Sequence, residues 1–322
     1  MRNLQNIAVI GGGLMGAGIA QAFAAADYKV TVFEPNQEVR LSLRQRVVEN
    51  LKLLGADVAI AERIETSGGL AEAVAQAHYV TEAAPEKLDL KRSIFSDLER
   101  VAPVNAILAS NTSVIPITQI TEGLKTAHRM VGTHWWNPPY LVPLVEVIQG
   151  ARTSQRTIDH TMALLRLLGK EPAHVKKDRP GFVANRLQHA LWREAIAMVA
   201  EGICDAKTLD TCVKNSFGLR LPVLGPLENA DMVGLDLTLD IHKTVIPELD
   251  CSAGPNPFLA QQIDAGRLGF KSGEGFSVWS EKEMSELRKR LSLHLMKAQS
   301  ERHRDERIND EKSNITSTEN AR

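Results

Sequence analysis

Ile7-Ala8-Val9-Ile10-Gly11-Gly12-Gly13-Leu14-Met15-Gly16-Ala17-Gly18-Ile19-Ala20 decides the fold. Its first four residues are a short apolar run, the pattern of a strand buried on both faces. The glycine cluster then opens a helix expected over Leu14 to Ala26. On that helix Gly16, Ala20 and Ala24 recur every four residues, a stripe of small side chains that lets it lie close to a sheet. Val30-Thr31-Val32-Phe33 reads as a second strand, ending at Glu34-Pro35-Asn36. Strand, glycine turn, helix and strand make one βαβ unit.

Further strands are expected at Tyr79–Glu82, Ala106–Ala109, Met130–Thr133 and Leu144–Ile148, with helical patterns at Ser93–Val101 and Thr157–Leu168. Alternating strands and helices imply an α/β fold with a mostly parallel, doubly wound, Rossmann-type sheet. The pattern changes at Arg179-Pro180-Gly181, after which a long helix is expected from Ala184 to Glu201. The reading is therefore a dinucleotide-binding domain over 1–179, an all-α C-terminal domain over 180–299, and a charged, disordered tail over 300–322. The chain has no internal repeats.

Gly11-x-Gly13-x-x-Gly16 fits a dinucleotide cradle. Gly11 allows the tight turn out of the strand, Gly13 lets backbone N–H groups approach a pyrophosphate, and Gly16 permits close packing. Gly12 completes the turn, and Leu14-Met15 begin the helix whose N-terminus carries partial positive charge. Glu34 ends the next strand 18 positions after Gly16. A carboxylate there accepts ribose hydroxyls and repels a 2′-phosphate, which favours NAD over NADP.

Formal net charge is −1, which excludes a dominant nucleic-acid footprint. Cys204, Cys212 and Cys251 have no metal-ligand spacing, so no metal is expected, and an odd, sparse set suits a reducing compartment. The apolar stretch from Leu4 to Ala26 is interrupted by glycines and is not read as a signal peptide. No uninterrupted apolar run of about 18 residues follows, so a cytoplasmic protein without a membrane span is expected.

Oxidation of an alcohol by a nicotinamide needs a group to take the hydroxyl proton, and histidine suits this when its tautomer is fixed. Of nine histidines, His134 ends a strand, where doubly wound sheets place their ligands. Twelve residues on, Glu146 lies inside the apolar strand Leu144–Ile148, where a carboxylate is costly unless paired. A catalytic His134–Glu146 dyad and a structural ion pair both satisfy these residues.

The glycine motif, Ser110-Asn111-Thr112-Ser113, His134 before aromatic residues and Asn137-Pro138, and Leu144-Val145-Glu146-Val147 together resemble the L-3-hydroxyacyl-CoA dehydrogenase family. Pro180-Gly181-Phe182-Val183-Ala184-Asn185-Arg186-Leu187 and Gly269-Phe270-Lys271-Ser272-Gly273-Glu274-Gly275-Phe276 extend the resemblance to about residue 280. It implies hydride transfer between NAD and a 3-hydroxy or 3-oxo substrate, with His134 as base or acid and Glu146 orienting it. It implies Ser113 and Asn185 beside the reacting oxygen and nicotinamide, with Glu86, Lys91, Asn137 and Lys271 along the cofactor. It also implies a homodimer through the C-terminal domain.

In the branch acting on CoA thioesters, the resemblance implies a lysine-rich helical hairpin after the second strand. Here Arg40 to Gly69 is shorter, with Arg44, Arg46, Lys52 and Arg63 scattered along it. Trp135-Trp136-Asn137-Pro138-Pro139-Tyr140 is bulkier than that branch's usual aromatic pair and closer to the branch acting on free acids such as gulonate, carnitine and pyridine carboxylates. The substrate expected is a small acid or an acyl-CoA. The alternatives are an aromatic, pyridine-carboxylate-like alcohol or aldehyde, and a catalytically silent, crystallin-like NAD-binding protein.

Overall fold

A computed structural model describes residues 6–319. The first half alternates β1 (Asn6–Ile10), α1 (Leu14–Ala25), β2 (Lys29–Phe33), α2 (Gln37–Leu54), β3 (Ile64–Ser67), α3 (Leu70–Val74), β4 (Tyr79–Glu82), α4 (Leu88–Val101), β5 (Ile107–Ser110) and α5 (Ile117–Ile120). Then come β6 (Met130–Trp135), β7 (Leu144–Ile148), α6 (Gln155–Leu167) and β8 (Glu171–Val175). The rest is helical: α7 (Ala184–Ala200), α8 (Ala206–Lys214), α9 (Phe217–Arg220), α10 (Pro226–Val233), α11 (Leu235–Val245), α12 (Pro257–Asp264) and α13 (Glu281–Glu319).

The strands form one sheet in the order β3-β2-β1-β4-β5-β6-β7-β8, parallel except where β6 meets β7. Alternation along β1 shows how the sheet is covered on both faces. Ile7 and Val9 join Phe23 of α1 and Leu43, Val47 and Leu51 of α2, while Ala8 and Ile10 join Phe95 and Leu98 of α4. This is the doubly wound α/β fold expected from the alternating pattern.

Two strands that the apolar pattern does not reveal, β3 and β8, lie at the two edges of the sheet. An edge strand has one hydrogen-bonding neighbour and needs no apolar run. Ile64-Glu65-Thr66-Ser67 has one aliphatic residue, and β8 contains Pro172, which an edge tolerates.

The chain divides into one compact unit of residues 1–186 with 292–322 and another of 187–291. The first compact unit thus runs seven residues past the division expected at 179/180. Residues 180–186 go with the sheet because Glu146 and Ser113 bond to Val183, Ala184 and Asn185. The segment expected as a disordered tail from 300 continues α13 as far as Glu319, and residues 320–322 lie outside the described residues. Its helix formers and spaced charges explain this, with Arg302 paired to Glu171 at 2.7 Å and Lys297 to Glu301 four residues on.

The closest backbone approach in the sheet's first crossover is at Gly16, where an added Cβ would lie 1.8 Å from the carbonyl oxygen of Gly11. A Gly16→Ala variant should lose about 1–3 kcal/mol of stability, as overpacked sites do. It should also bind NADH more weakly. Thermal unfolding and NADH fluorescence titration check this; wild-type values in both would contradict the packing.

Candidate active site

The cradle is built by β1, the turn Gly11–Gly13 and the first turn of α1. Gly11 adopts φ +104°, and a Cβ there would meet the Ala83 carbonyl oxygen at 2.9 Å. Gly13 caps α1 and has no heavy atom within 4 Å of a built Cβ, so its side faces open space. An open turn at the N-terminus of a three-turn helix fits a pyrophosphate. Glu34 closes the far side: its carboxylate accepts the Gly12 N–H at 2.7 Å and the Asn36 N–H at 2.9 Å. The site's shape and donors therefore fit NAD, with Gly11, Gly12, Gly13, Leu14, Met15, Gly16 and Glu34 gathered at one edge.

Three strands along, β6 and β7 set His134 directly opposite Glu146 in antiparallel register. Cross-strand partners on one face reach each other, and His134 Nδ1 lies 2.7 Å from Glu146 Oε2. His134 is 4% exposed and Glu146 1%. The other carboxylate oxygen accepts the N–H groups of Val183 at 2.9 Å and Ala184 at 3.1 Å, at the start of α7. Burial pushes the Glu146 carboxyl up. The hydrogen bonds from His134, Ala184 and Val183 and the charge of His134 outweigh it, holding the carboxyl below its ordinary value. A lowered carboxyl contributes stability that is complete above its unfolded value and lost as pH falls through the lowered one. At neutral pH Glu146 is therefore an acceptor only, and Nδ1 must be the donor, so any lone pair on the ring is on Nε2. Phe182 and Trp136 flank the imidazole with centroids at 5.9 and 5.3 Å.

Ser113 and Asn185 come together although 72 residues separate them: Asn185 Nδ2 donates to the Ser113 carbonyl at 3.1 Å. Asn137 is exposed in the loop after β6. Lys271 is an exposed residue of the second unit. Glu86 accepts the Ser113 and Val114 N–H groups at 3.0 and 3.2 Å and the Thr112 hydroxyl. Burial raises the Glu86 carboxyl, but those bonds and the Lys91 charge leave it lowered overall.

Lys91, expected along the cofactor, is fully buried. Its ammonium donates to Glu82 Oε1 at 2.7 Å, where both side chains are 0% exposed, and to the Ala84 carbonyl at 3.2 Å. It lies 3.4 Å from Glu86. Ser110 Oγ and the Ala84 N–H also donate to Glu82. This network fastens the β4–α4 turn to the β5–α5 turn that carries Ser113. Glu82 escapes the sequence reading, yet its signal is of the same kind as that of Glu146: a carboxylate in an otherwise uncharged strand.

Trp135 is a core residue, 6.0 Å from Phe23, so only Trp136 of the indole pair stands beside His134. The segment Arg40–Gly69 holds a single long helix, α2, rather than a hairpin. Its guanidiniums all have partners: Arg40 bonds to the Glu34 carbonyl, Arg44 to that of Ile64 and Arg46 to that of Gly12, while Arg63 pairs with Asp27 at the surface.

Residues 6–179 match the family described as 3-hydroxyacyl-CoA dehydrogenase, NAD binding domain, and residues 181–279 match its C-terminal domain. The 5-formyl-3-hydroxy-2-methylpyridine 4-carboxylate 5-dehydrogenase of Mesorhizobium japonicum is 33% identical, covering 88% of this chain and 94% of its own. A probable 3-hydroxybutyryl-CoA dehydrogenase of Bacillus subtilis is 38% identical, covering 87% and 99%. Among solved structures, a 5-formyl-3-hydroxy-2-methylpyridine 4-carboxylic acid 5-dehydrogenase, described as an NAD+-dependent dismutase, aligns with a TM-score of 0.84 at 32% identity. It covers 91% of this chain and 96% of that one.

Removing one partner of the buried Glu82–Lys91 pair should be costly. Lys91→Met should destabilise by about 3–5 kcal/mol in urea unfolding, because Glu82 is left buried without a counter-charge. Adding Glu82→Gln should recover much of that loss. A single variant of wild-type stability would mean that the pair does not hold these turns.

Proposed function

The chain belongs to the 3-hydroxyacyl-CoA dehydrogenase family of NAD-dependent oxidoreductases, and on that premise we propose that it interconverts a compact 3-hydroxy acid and its 3-oxo form. The observation that carries the chemistry is the hydrogen bond that His134 Nδ1 donates to Glu146. It fixes the tautomer that leaves Nε2 free to take the substrate hydroxyl proton. Gly11–Gly16 and Glu34 would hold NAD, which would supply the hydride acceptor for oxidation and the hydride donor for reduction. His134 Nε2 receives the proton as the C=O bond forms, Glu146 balances the imidazolium, and reduction returns the same proton. Ser113 and Asn185 serve as hydrogen-bonding groups at the reacting end, and Glu34 selects NAD.

A free acid is favoured over a CoA thioester by α2, whose arginines are turned to backbone carbonyls and offer no phosphate platform. Trp136 adds a flat apolar surface beside His134 that suits a small or planar acid. The Bacillus relative favours the thioester as a second reading. The sparse, unpaired cysteines suit the cytoplasm.

We propose further that two copies pair through the second unit. Helices α8 to α12 have no buried residue, and Leu219, Val223, Leu227, Met232 and Leu235 are exposed. Helices without a buried face need a partner to cover them.

In a panel of hydroxy acids and matched 3-hydroxyacyl-CoA esters followed by NADH fluorescence, a free acid should give the highest kcat/KM. His134→Gln should lower its turnover by about 10²–10⁴-fold with NADH affinity retained. Turnover unaffected by the substitution would remove His134 from the chemistry. Sedimentation equilibrium should give a dimer that Leu219→Asp with Leu227→Asp converts to monomer; a wild-type monomer at micromolar concentration would end the pairing proposal.

A further inference from the structure

The β6–β7 loop, residues 136–143, joins the strands of His134 and Glu146, and it is held from below by a lysine with no role in the chemistry above. Lys170 lies between α6 and β8, only 7% exposed. Its ammonium donates to the Pro139 carbonyl at 2.5 Å and the Val142 carbonyl at 3.0 Å, and it stands 5.5 Å from the centre of the Trp135 ring. Among the described residues no carboxylate forms an ion pair with it. Next in sequence, the Glu171 N–H donates to the Pro143 carbonyl at 2.9 Å. From the other side, Pro139 packs on the cradle helix so closely that a Cβ on Gly18 would meet its Cδ at 2.8 Å. The loop is thus clamped between the cofactor cradle and Lys170.

We propose that Lys170 is a positioning residue for the reaction: its protonated amine fixes the β6–β7 loop, and loss of that proton loosens it. Charge-assisted hydrogen bonds to carbonyls are roughly twice as strong as neutral ones, so a neutral amine holds the same oxygens less firmly. The attraction to the Trp135 ring also disappears. A cavity of about 320 Å³ reaches Lys170, lined among others by Gln21, Leu51, Tyr140 and Gln299, and gives the amine a route for proton exchange without unfolding. Burial, helped by the nearby Arg302 charge, pushes the ammonium down to about 8. Among the described residues, Arg302, Glu171 and Tyr140 are the titratable groups beside it. Arg302 is paired with Glu171, and burial pushes the Tyr140 hydroxyl up.

Two pH effects then run in opposite directions. Between about 8 and the ordinary lysine value of 10.5, the folded chain has shed a proton that the unfolded chain keeps, so this group's share of global stability rises with pH. Over the same interval the loop loses its charged tie. A purely structural lysine predicts no local loosening in a fold that is gaining stability.

Hydrogen exchange read by mass spectrometry on the full chain, corrected for intrinsic rates, tests this. Protection of residues 136–143 should fall about tenfold as pH rises through 8, while β1 and β4 stay unchanged. Lys170→Met should show the low protection at every pH, and Lys170→Arg, which keeps its charge, should stay protected without a step. A flat wild-type profile, or a step that survives in either variant, overturns the proposal. The kinetic arm rests on the dehydrogenase reading: kcat/KM for the best free acid should have an alkaline limb near pH 8 that Lys170→Arg removes, with NADH affinity unchanged. A limb that persists in that variant overturns the link to catalysis. The exchange arm needs no substrate, so it still decides whether Lys170 holds the loop even if the dehydrogenase reading fails.

Discussion

The Glu146 carboxylate is the point on which the reacting edge of the molecule depends. A buried carboxylate with too few donors would cost several kcal/mol, and here three donors meet it. One is the imidazole opposite on β6, and two are backbone N–H groups at the start of α7. The helix terminus supplies partial positive charge as well as hydrogen bonds. The same contacts that keep the acid ionised therefore orient the histidine and bring the strap 180–186 onto the sheet. Charge, tautomer and chain path are one constraint.

Much of this was legible in the residues because buried parallel strands must be apolar on both faces. Ile7–Ile10, Val30–Phe33, Tyr79–Glu82 and Leu144–Ile148 announce themselves that way, and the glycine spacing identifies the cradle. The edge strands β3 and β8 were not legible, since one exposed side relaxes the apolar demand. The pairing of His134 with Glu146 could be argued from the cost of an isolated carboxylate. The same argument applied to Glu82 finds Lys91 nine residues on, one helical turn into α4, as its buried partner.

Arginine direction was the least legible feature. The scattered Arg44, Arg46, Lys52 and Arg63 read equally well as a solvated face, because sequence gives their spacing but not their partners. The fold decides it through unsatisfied acceptors. Strand ends and the glycine turn leave carbonyls at the edge of the sheet, and a long planar donor on the adjoining helix reaches them. Arg46, bonded to the Gly12 carbonyl at 2.6 Å, thus becomes part of the framework of the glycine turn.

Glu34 shows the same fusion of framework and recognition. Its two oxygens each accept a backbone N–H, one from the glycine turn and one from the start of α2, yet each retains acceptor capacity for a ribose hydroxyl. The carboxylate proposed to repel a 2′-phosphate is thus also the group that shapes the glycine turn. Arg40 lies within reach, bonded to the Glu34 carbonyl at 2.7 Å, so positive charge adjoins the carboxylate without neutralising either hydrogen bond. Any exchange of Glu34 for a neutral residue changes the electrostatics of coenzyme choice and the geometry of the cradle together. A shift in preference between NAD and NADP in such a variant must therefore be divided between lost repulsion and a relaxed turn, and the affinity for NADH itself separates the two.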